Sequence, residues 1–416
     1  MPHLALQLAA ALTTTTASPG PWRVLEVSGG PAAPRNQVAI ESNVRYLDQI
    51  LPSTLPRRVL FADGSRRTAS VAIQDARGGI RYRAPRLPRL DGPTTQAGLE
   101  GAWRGFVAER PLDPLLLFFT GHGKRNRFGD LDNNVFEMWA GDELSVRDLA
   151  RRIETLPTET RVVLVMSQCY SGSFANLIFE GGRPDGPAVP RDLAGFFAAT
   201  ADRPATGCTP EVNEEVYRDF TGYFFAALSG RDRLGRAVED ADYDNDRTVG
   251  MDEAFAYALI HQETSDVPVS TSDVFLRRFV RQPDSETMKT PFTSVRAWAS
   301  PAQRAALDGL SRTLRLRGED RLAVAYDAQF GRTRHEDEDE TLNARRLRFI
   351  RLAKSVVLGH VLAESGDAPL IARFEKLRAS EARNPIRTGA FDPTAARLSA
   401  AAAAAWVAGG RGPFGG

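Results

Sequence analysis

Two residues combine side chains suited to covalent catalysis with positions at the ends of apolar segments. His122 lies in the sequence TGHG directly after the apolar run 115–119, and Cys169 lies in SQCYSGS directly after the apolar run 162–166. A thiol that attacks a carbonyl carbon while an imidazole takes its proton is the minimum set of groups for acyl transfer. Singly, each residue has an ordinary explanation, because a cysteine after a strand is usually a small buried hydrophobe. The hypothesis of a Cys-His dyad therefore depends on the fold bringing the two together.

The first half of the chain alternates short apolar segments with segments of helical periodicity. The apolar segments predict strands over 22–28, 59–61, 115–120, 161–167 and 193–200, and the periodic segments predict helices over 36–51, 145–156 and 217–228. Continuously apolar strands are typical of a parallel sheet that is covered on both faces. We therefore predict a three-layer α/β/α fold with a mostly parallel sheet, in which ligands bind beyond the carboxyl ends of the strands. A helix that begins after Cys169 would favour its thiolate through the helix dipole.

The character of the sequence changes near residue 283. Helical periodicity predicts helices over 302–316, 341–364 and 369–383, and an acidic run at 335–340 is interpreted as a solvated linker. The predicted organisation is a leader or signal peptide (1–21), a catalytic domain (22–285), an all-α C-terminal region (286–399) and a flexible Ala/Gly tail (400–416). The C-terminal helices are a candidate surface for a regulatory partner.

Composition narrows the class of protein. The chain has 416 residues, of which 42% are hydrophobic and 25% charged, and this is typical of a globular protein. A net charge of +1 argues against a nucleic-acid binder, and no run of about 20 apolar residues predicts a membrane span. Two cysteines can form at most one disulfide bond, which cannot stabilise so long a chain by itself. Cys208 is interpreted as an inert thiol. The apolar stretch 4–12 lacks a basic residue before Arg23, which leaves both cytoplasmic and exported locations open.

Together with the later strand FFAATA (196–201), the His and Cys blocks resemble the caspase and legumain superfamily of cysteine peptidases, most of all its bacterial caspase-like and legumain-like members. The resemblance extends over about residues 22–280. It implies a caspase-hemoglobinase fold, His122 and Cys169 as the catalytic dyad, and an oxyanion hole formed by the backbone N–H groups of Gly123 and Cys169. One departure is Gln168 directly before Cys169, because the caspase pattern has an alanine between these two residue types.

The same resemblance implies a substrate-binding role for Arg35, in the sequence PRNQ (34–37). In this superfamily an arginine from the loop after the first strand often lines the pocket for the P1 residue of the substrate. A guanidinium there would favour Asp, and less strongly Asn, at P1 through bidentate pairing. Members of the superfamily differ in P1 preference, and Arg35 can equally cap the following helix, so both interpretations stay open.

A separate acidic segment has oxygen-bearing residues at the spacing of a calcium loop. The predicted Ca²⁺ ligands, in positions 1, 3, 5, 7 and 12 of such a loop, are Asp242, Asp244, Asp246, the carbonyl of Thr248, and Glu253. The sixth position, where these loops need glycine, is Arg247. The alternative interpretation is an acidic surface loop capped by Asp252.

These features together favour a cysteine endopeptidase that acts on a protein or peptide substrate and requires no cofactor for its chemistry. Cys169 attacks the scissile carbonyl, His122 delivers a proton to the leaving amine, and water hydrolyses the thioester. Two alternatives remain. One is a catalytically silent protein-interaction module with the same fold, and the other is a transpeptidase or ligase with the same dyad, since only water access to the acyl-enzyme differs.

Overall fold

The computed structural model describes residues 21–75, 77–207, 217–331 and 339–386. Strands in these residues are β1 (Arg23–Gly29), β2 (Arg57–Phe61), β3 (Val71–Gln74), β4 (Ile80–Arg83), β5 (Leu115–Lys124), β6 (Val135–Glu137), β7 (Glu143–Ser145), β8 (Val162–Met166), β9 (Leu193–Phe197) and β10 (Val269–Ser270). The α-helices are α1 (Val38–Ile50), α2 (Gln96–Ala102), α3 (Val146–Glu154), α4 (Phe220–Ser229), α5 (Met251–His261), α6 (Thr271–Phe279), α7 (Asp284–Thr287), α8 (Phe292–Trp298), α9 (Pro301–Thr313), α10 (Arg321–Phe330), α11 (Glu340–Glu364) and α12 (Ala368–Glu381).

The central sheet has the strand order β10-β9-β8-β5-β1-β2. Neighbouring strands in it are parallel, except that β10 runs antiparallel to β9. The short strands β6 and β7 extend the sheet as an antiparallel ribbon from the end of β5, and β3 pairs with β4 in a separate hairpin. The prediction of an α/β fold with a mostly parallel sheet is confirmed.

Helices cover both faces of this sheet, and this explains why its strands are apolar throughout. On β5, Leu115, Leu117 and Phe119 belong to one buried cluster, which also includes residues of α2, α3 and α6. The intervening Leu116 and Phe118 belong to a second cluster on the opposite face, with residues of α1, α4 and α5. Alternate side chains of a strand point to opposite faces, so a strand buried on both faces reads as a continuous apolar run.

The helix α3 leads the chain into β8. It begins after Ser145, whose hydroxyl accepts from the N–H of Asp148 while the Asp148 carboxylate accepts from the N–H of Ser145. Leu149 and Ile153, one turn apart, are buried against the sheet. This capping box satisfies N–H groups that would otherwise lack partners at the start of the helix.

From β10 onward, the described residues contain helices and no further strand. The predicted helical C-terminal region is confirmed, although α8 and α10 were not predicted. Leu358 and Leu362 of α11 and Leu377 of α12 belong to the same buried cluster as the sheet residues Leu164 and Leu193. Because α7 spans residue 285, the predicted domain boundary falls inside a helix.

Parts of the predicted organisation lie outside the described residues. These are residues 1–20 of the leader, residues 335–338 of the acidic run, and the tail 400–416. In the described part of the chain, no helix is both long enough and apolar enough to cross a membrane.

Candidate active site

The two residues of the predicted dyad are brought to the same edge of the sheet by neighbouring strands. Strands β5 and β8 pair in parallel, Leu115 with Val162 through Phe119 with Met166, so that each residue faces the one 47 positions later. The same interval of 47 separates His122 from Cys169. The strand β5 is longer than predicted, because it continues through Lys124 by pairing with β6. His122 therefore lies within a strand, opposite Glu137, rather than in an exposed loop.

Close backbone packing fixes the position of Cys169 relative to β5. A Cβ atom built on Gly123 would overlap the carbonyl oxygen of Cys169 and lie 2.8 Å from Cγ of Gln168. Only glycine fits where the two backbones approach this closely. The next residue, Tyr170, has a φ of +59°, a left-handed conformation that is unusual for a non-glycine residue. Its N–H donates to the carbonyl of Arg203 at 2.9 Å, which ties the cysteine segment to the end of β9.

The imidazole of His122 is half-buried and held by the loop that precedes α1. Its Nε2 lies 2.9 Å from Oε1 of Gln37, the residue before the first turn of α1. Burial lowers the pKa of His122, the nearby Arg35 guanidinium lowers it further, and the Arg35 backbone and the Glu137 carboxylate oppose these effects. The neutral form of the ring is therefore favoured, and a neutral imidazole is the form that accepts a proton from a thiol.

The thiol of Cys169 is half-buried and contacts a single residue of the β9–α4 connection. The N–H of Ala205 donates to Sγ at 3.2 Å, and Sγ lies 3.5 Å from the Ala205 carbonyl oxygen. Burial raises the pKa of Cys169, and the carboxylates of Asp266 and Glu137 raise it further, while the Ala205 N–H lowers it. The segment that follows Cys169 is a 3-10 helix, Ser171–Ile178, and burial is the largest effect on the pKa of the thiol.

In the described part of the chain, His122 and Cys169 make their hydrogen bonds to Gln37 and Ala205, and no hydrogen bond joins them to each other. Both pKa shifts favour the neutral partners of a thiol–imidazole pair over a thiolate–imidazolium pair. Such a site can form a thiolate only as the proton is transferred to the ring during attack. The lack of this hydrogen bond does not exclude the chemistry, since catalytic hydrogen bonds often form or shorten only when substrate binds.

Arg35, the predicted P1 contact, lies beside the dyad but is paired with an acidic side chain. Its guanidinium donates to both carboxylate oxygens of Glu137, at 3.0 Å and 2.5 Å. The Arg35 side chain is 49% exposed and that of Glu137 is 10% exposed. The alternative role as a helix cap is not observed, because Gln37 is the N-cap residue of α1 and no side chain caps the helix. An acidic P1 residue would have to share Arg35 with Glu137 or displace it.

Sequence reasoning missed Asp266, a buried acidic residue near Cys169. It is fully buried, its Oδ1 accepts from the N–H and the hydroxyl of Thr206 at 2.6 Å and 2.8 Å, and its Oδ2 has no hydrogen-bond partner. Burial raises the pKa of Asp266 to about 6. No motif surrounds Asp266 in the sequence, so no local signal could have identified it. No local signal marks Ala205 or Glu137 either. Ala205 acts through its backbone, and Glu137 is brought to the site by the pairing of β6 with β5.

The predicted calcium ligands are only partly brought together. Carboxylate oxygens of Asp242, Asp244 and Asp246 lie within 4.8 Å of one another. Glu253 instead accepts hydrogen bonds from three N–H groups, those of Tyr243, Asp244 and Gly250. Arg247 adopts a φ of +73°, so the sixth position takes the left-handed conformation that glycine normally supplies. Thr248, whose carbonyl is the fourth predicted ligand, donates its N–H to Asp246 at 2.7 Å.

No known protein-family model matches the sequence, and no curated protein matches it at a significant level. The site is therefore interpreted from its own geometry. Cys208 lies outside the described residues.

Proposed function

We propose that the protein is a cysteine endopeptidase with a caspase-hemoglobinase-like fold. The observation that carries the proposal is that His122 and Cys169, each half-buried, occupy matching positions at the carboxyl ends of two adjacent parallel strands. The tight contact between Gly123 and Cys169 supports it, because it brings the backbone of one strand end against the nucleophile of the other. Ligands bind at this edge in open α/β sheets.

In the proposed mechanism, His122 takes the proton of Cys169 as Sγ bonds to the scissile carbonyl carbon. Collapse of the tetrahedral intermediate breaks the C–N bond, and the amine leaves with the proton that His122 returns. Water then attacks the thioester with His122 again acting as base, the C–Sγ bond breaks, Sγ takes the proton back from His122, and the carboxylic acid product is released. The acceptors near the ring, Gln37 Oε1 and the Arg35 backbone, would stabilise the imidazolium formed in each step. The N–H groups of Gly123 and Cys169 are proposed as the oxyanion hole.

A second candidate is a catalytically silent interaction module with the same fold. It is favoured by the raised pKa of Cys169 and by the engagement of its sulfur with Ala205, because both reduce the reactivity of the thiol. A transpeptidase or ligase would use the same dyad and differs only in the group that accepts the acyl chain.

Digestion of a peptide library by the wild type and by Cys169→Ala separates these functions. A peptidase gives cleavage products that Cys169→Ala and His122→Ala both lose by several orders of magnitude, because dyad residues act as a unit. Adding an amine nucleophile to the digestion reports ligation as a product of increased mass. Equal product from the wild type and Cys169→Ala would remove the peptidase assignment. Absence of any turnover in the untreated wild type, together with slow alkylation of Cys169 by iodoacetamide, would favour the silent module.

Two further roles are part of the proposal. Arg35 contacts the P1 residue of the substrate through the guanidinium N–H groups that are not bonded to Glu137.

The acidic loop binds Ca²⁺ through Asp242, Asp244 and Asp246, with a structural or regulatory effect. The C-terminal helices offer a surface to a regulatory partner.

A further inference from the structure

The nucleophile is held by a segment that has no catalytic group of its own. Ala205 both donates to Sγ of Cys169 and offers its carbonyl to the thiol, at 3.2 Å and 3.5 Å. A shift of this backbone would therefore rotate or release the sulfur. The position of residues 205–206 is in turn set by side chains from elsewhere in the fold.

Asp266 fixes the residue next to Ala205. Its Oδ1 accepts two hydrogen bonds from Thr206, one from the N–H at 2.6 Å and one from the hydroxyl at 2.8 Å. Asp266 is fully buried and its Oδ2 lacks a hydrogen-bond partner, so the side chain is retained although half of its hydrogen-bonding capacity is unused. Buried polar groups without partners are rare and usually have a role that offsets their energetic cost.

Arg348, in the C-terminal helix α11, fixes Asp266. Its side chain is almost fully buried at 1% exposure, and its guanidinium donates to three backbone carbonyls of the loop that follows α5. These carbonyls belong to Gln262 at 2.8 Å, Thr264 at 2.5 Å and Asp266 at 2.8 Å. The planar fork of an arginine can hold several acceptors in fixed positions, which a lysine ammonium cannot do as rigidly.

We propose that Arg348 and Asp266 are positioning residues that transmit the packing of α11 to the Cys169 thiol through Thr206 and Ala205. The contacts form one continuous path from the C-terminal helices to the nucleophile. The catalytic consequence rests on the proposed peptidase function, but the positioning of the thiol does not. Through this path, any partner that displaced α11 would change the reactivity of Cys169.

The charged groups along the path determine whether it favours or opposes ionisation of the Cys169 thiol. Asp266 is faced by Arg348 from α11 and by Asp219 from the start of α4. Cys169 is faced by the carboxylates of Asp266 and Glu137. Asp266 therefore acts in two opposed ways, since its hydrogen bonds place Ala205 on the sulfur while its negative charge opposes formation of the thiolate.

Two substitutions at Asp266 separate these effects. In Asp266→Asn the amide oxygen still accepts from Thr206 but the charge is gone. The pH profile of Cys169 alkylation by iodoacetamide should shift to lower pH. The thiolate fraction at pH 7 rises when the charge is removed, and this gain exceeds the accompanying loss of nucleophilicity, so alkylation at pH 7 should be faster than in the wild type. Asp273→Asn is the matched control, because Asp273 is a buried carboxylate in an ion pair with Arg351 that makes no contact with the 205–206 segment.

Asp266→Ala removes both hydrogen bonds to Thr206, whereas Thr206→Val removes only the one from the hydroxyl. We expect kcat for peptide cleavage to fall about tenfold or more in Asp266→Ala, with KM within about twofold, because a small misplacement of a catalytic group is costly to rate. Thr206→Val keeps the N–H bond and loses only the hydroxyl, so its loss should be smaller. Asp266→Asn should retain kcat within about threefold.

Substitutions in α11 test the remote end of the path. Arg348→Met should lower kcat about tenfold or more, and Arg348→Lys should lie between it and the wild type. Arg351→Met, which breaks an ion pair on the same helix without touching the 262–266 loop, should remain within about twofold. If Arg348→Met does not fold, the comparison of Arg348→Lys with Arg351→Met decides the point.

The proposal is overturned if Asp266→Asn and Asp266→Ala both leave the alkylation profile unchanged, or if Arg351→Met matches the Arg348 variants. If the wild type proves to have no peptidase activity, the alkylation profiles still test the positioning of the thiol. Failure of the peptidase assignment and failure of this inference are thus distinguishable.

Discussion

Replacing Gly123 with alanine is the most direct test of the strand-end geometry. The new Cβ would overlap the Cys169 carbonyl oxygen and lie 2.8 Å from Cγ of Gln168. Carbon atoms in contact lie about 3.5–4.0 Å apart, so the two backbones must separate by about 1 Å. Overpacking of this kind costs about 1–3 kcal/mol of stability. A displacement of 1 Å at a catalytic constellation can lower the rate about 10²-fold. We therefore expect Gly123→Ala to lose far more activity than its loss of stability explains.

The assay measures peptide cleavage and Cys169 alkylation on protein whose folded fraction is known from urea unfolding. Gly101→Ala is the control, because a Cβ at Gly101 in α2 meets no atom within 4 Å. Alanine in that helix should stabilise the protein by about 0.5–1 kcal/mol and leave turnover unchanged. Wild-type turnover and alkylation in Gly123→Ala would show that the contact between β5 and the cysteine segment does not position the dyad.

The remaining predictions concern calcium, pH and P1 choice. Several millimolar Ca²⁺ should raise the stability of the wild type by about 1 kcal/mol, seen as a higher Tm, and Asp244→Ala should abolish the response. The pKa of Asp266 is raised from 3.8 to about 6 by burial, so its carboxyl binds a proton more tightly when folded than when unfolded. Its ionisation therefore destabilises the fold as pH rises from about 4 to about 6, by about 3 kcal/mol relative to Asp266→Asn. If Arg35 binds an acidic P1 residue, Glu137→Gln should raise cleavage after Asp relative to neutral residues, and Arg35→Ala should lower that ratio about 10²-fold.

Each of these has a clear contrary outcome. An unchanged Tm in calcium, with magnesium as the reference ion, would support the alternative of a capped acidic surface loop. Parallel pH–stability curves for the wild type and Asp266→Asn would mean that Asp266 titrates normally. A wild type that cleaves after Arg or Lys, with a preference that Arg35→Ala leaves unchanged, would exclude Arg35 from the P1 pocket.

The core strands could be predicted because a strand that is buried on both faces consists of apolar residues throughout. Runs such as 115–119 and 162–166 are apolar on every residue, and the structure buries both of their faces. The end of β5 could not be predicted in the same way, because the sequence TGHGK pairs with β6 through backbone groups rather than through an apolar face. The hairpin β3–β4 escaped prediction for a related reason, since the side chains of Ile80–Tyr82 are exposed.

In the candidate site, too, the residues that local sequence marks could be predicted and those that only tertiary structure brings together could not. His122 and Cys169 could be proposed because glycines and strand ends mark them within a few residues of sequence. The residues that act on them could not. The hydrogen bonds of Asp266 reach the thiol by way of Thr206 and Ala205, and Glu137 reaches Arg35 because β6 folds back on β5. The raised pKa of the Cys169 thiol also escaped prediction, because the burial that causes it depends on the tertiary packing around the side chain.

The packing of the last described helix against the sheet has a consequence for synthesis of the protein. Leu377 of α12 shares a cluster with Leu193 of β9, and the buried carboxylate of Glu381 accepts hydrogen bonds from Thr271 and Ser272 at the start of α6. A nascent chain that has emerged only to residue 285 therefore displays an uncovered apolar sheet face. At about 5–20 residues per second, the ribosome needs about 5–20 s to add the roughly 100 residues that complete it. During that interval chaperones can bind the exposed apolar surface, and a truncated product would be prone to aggregate rather than to fold as a smaller protein.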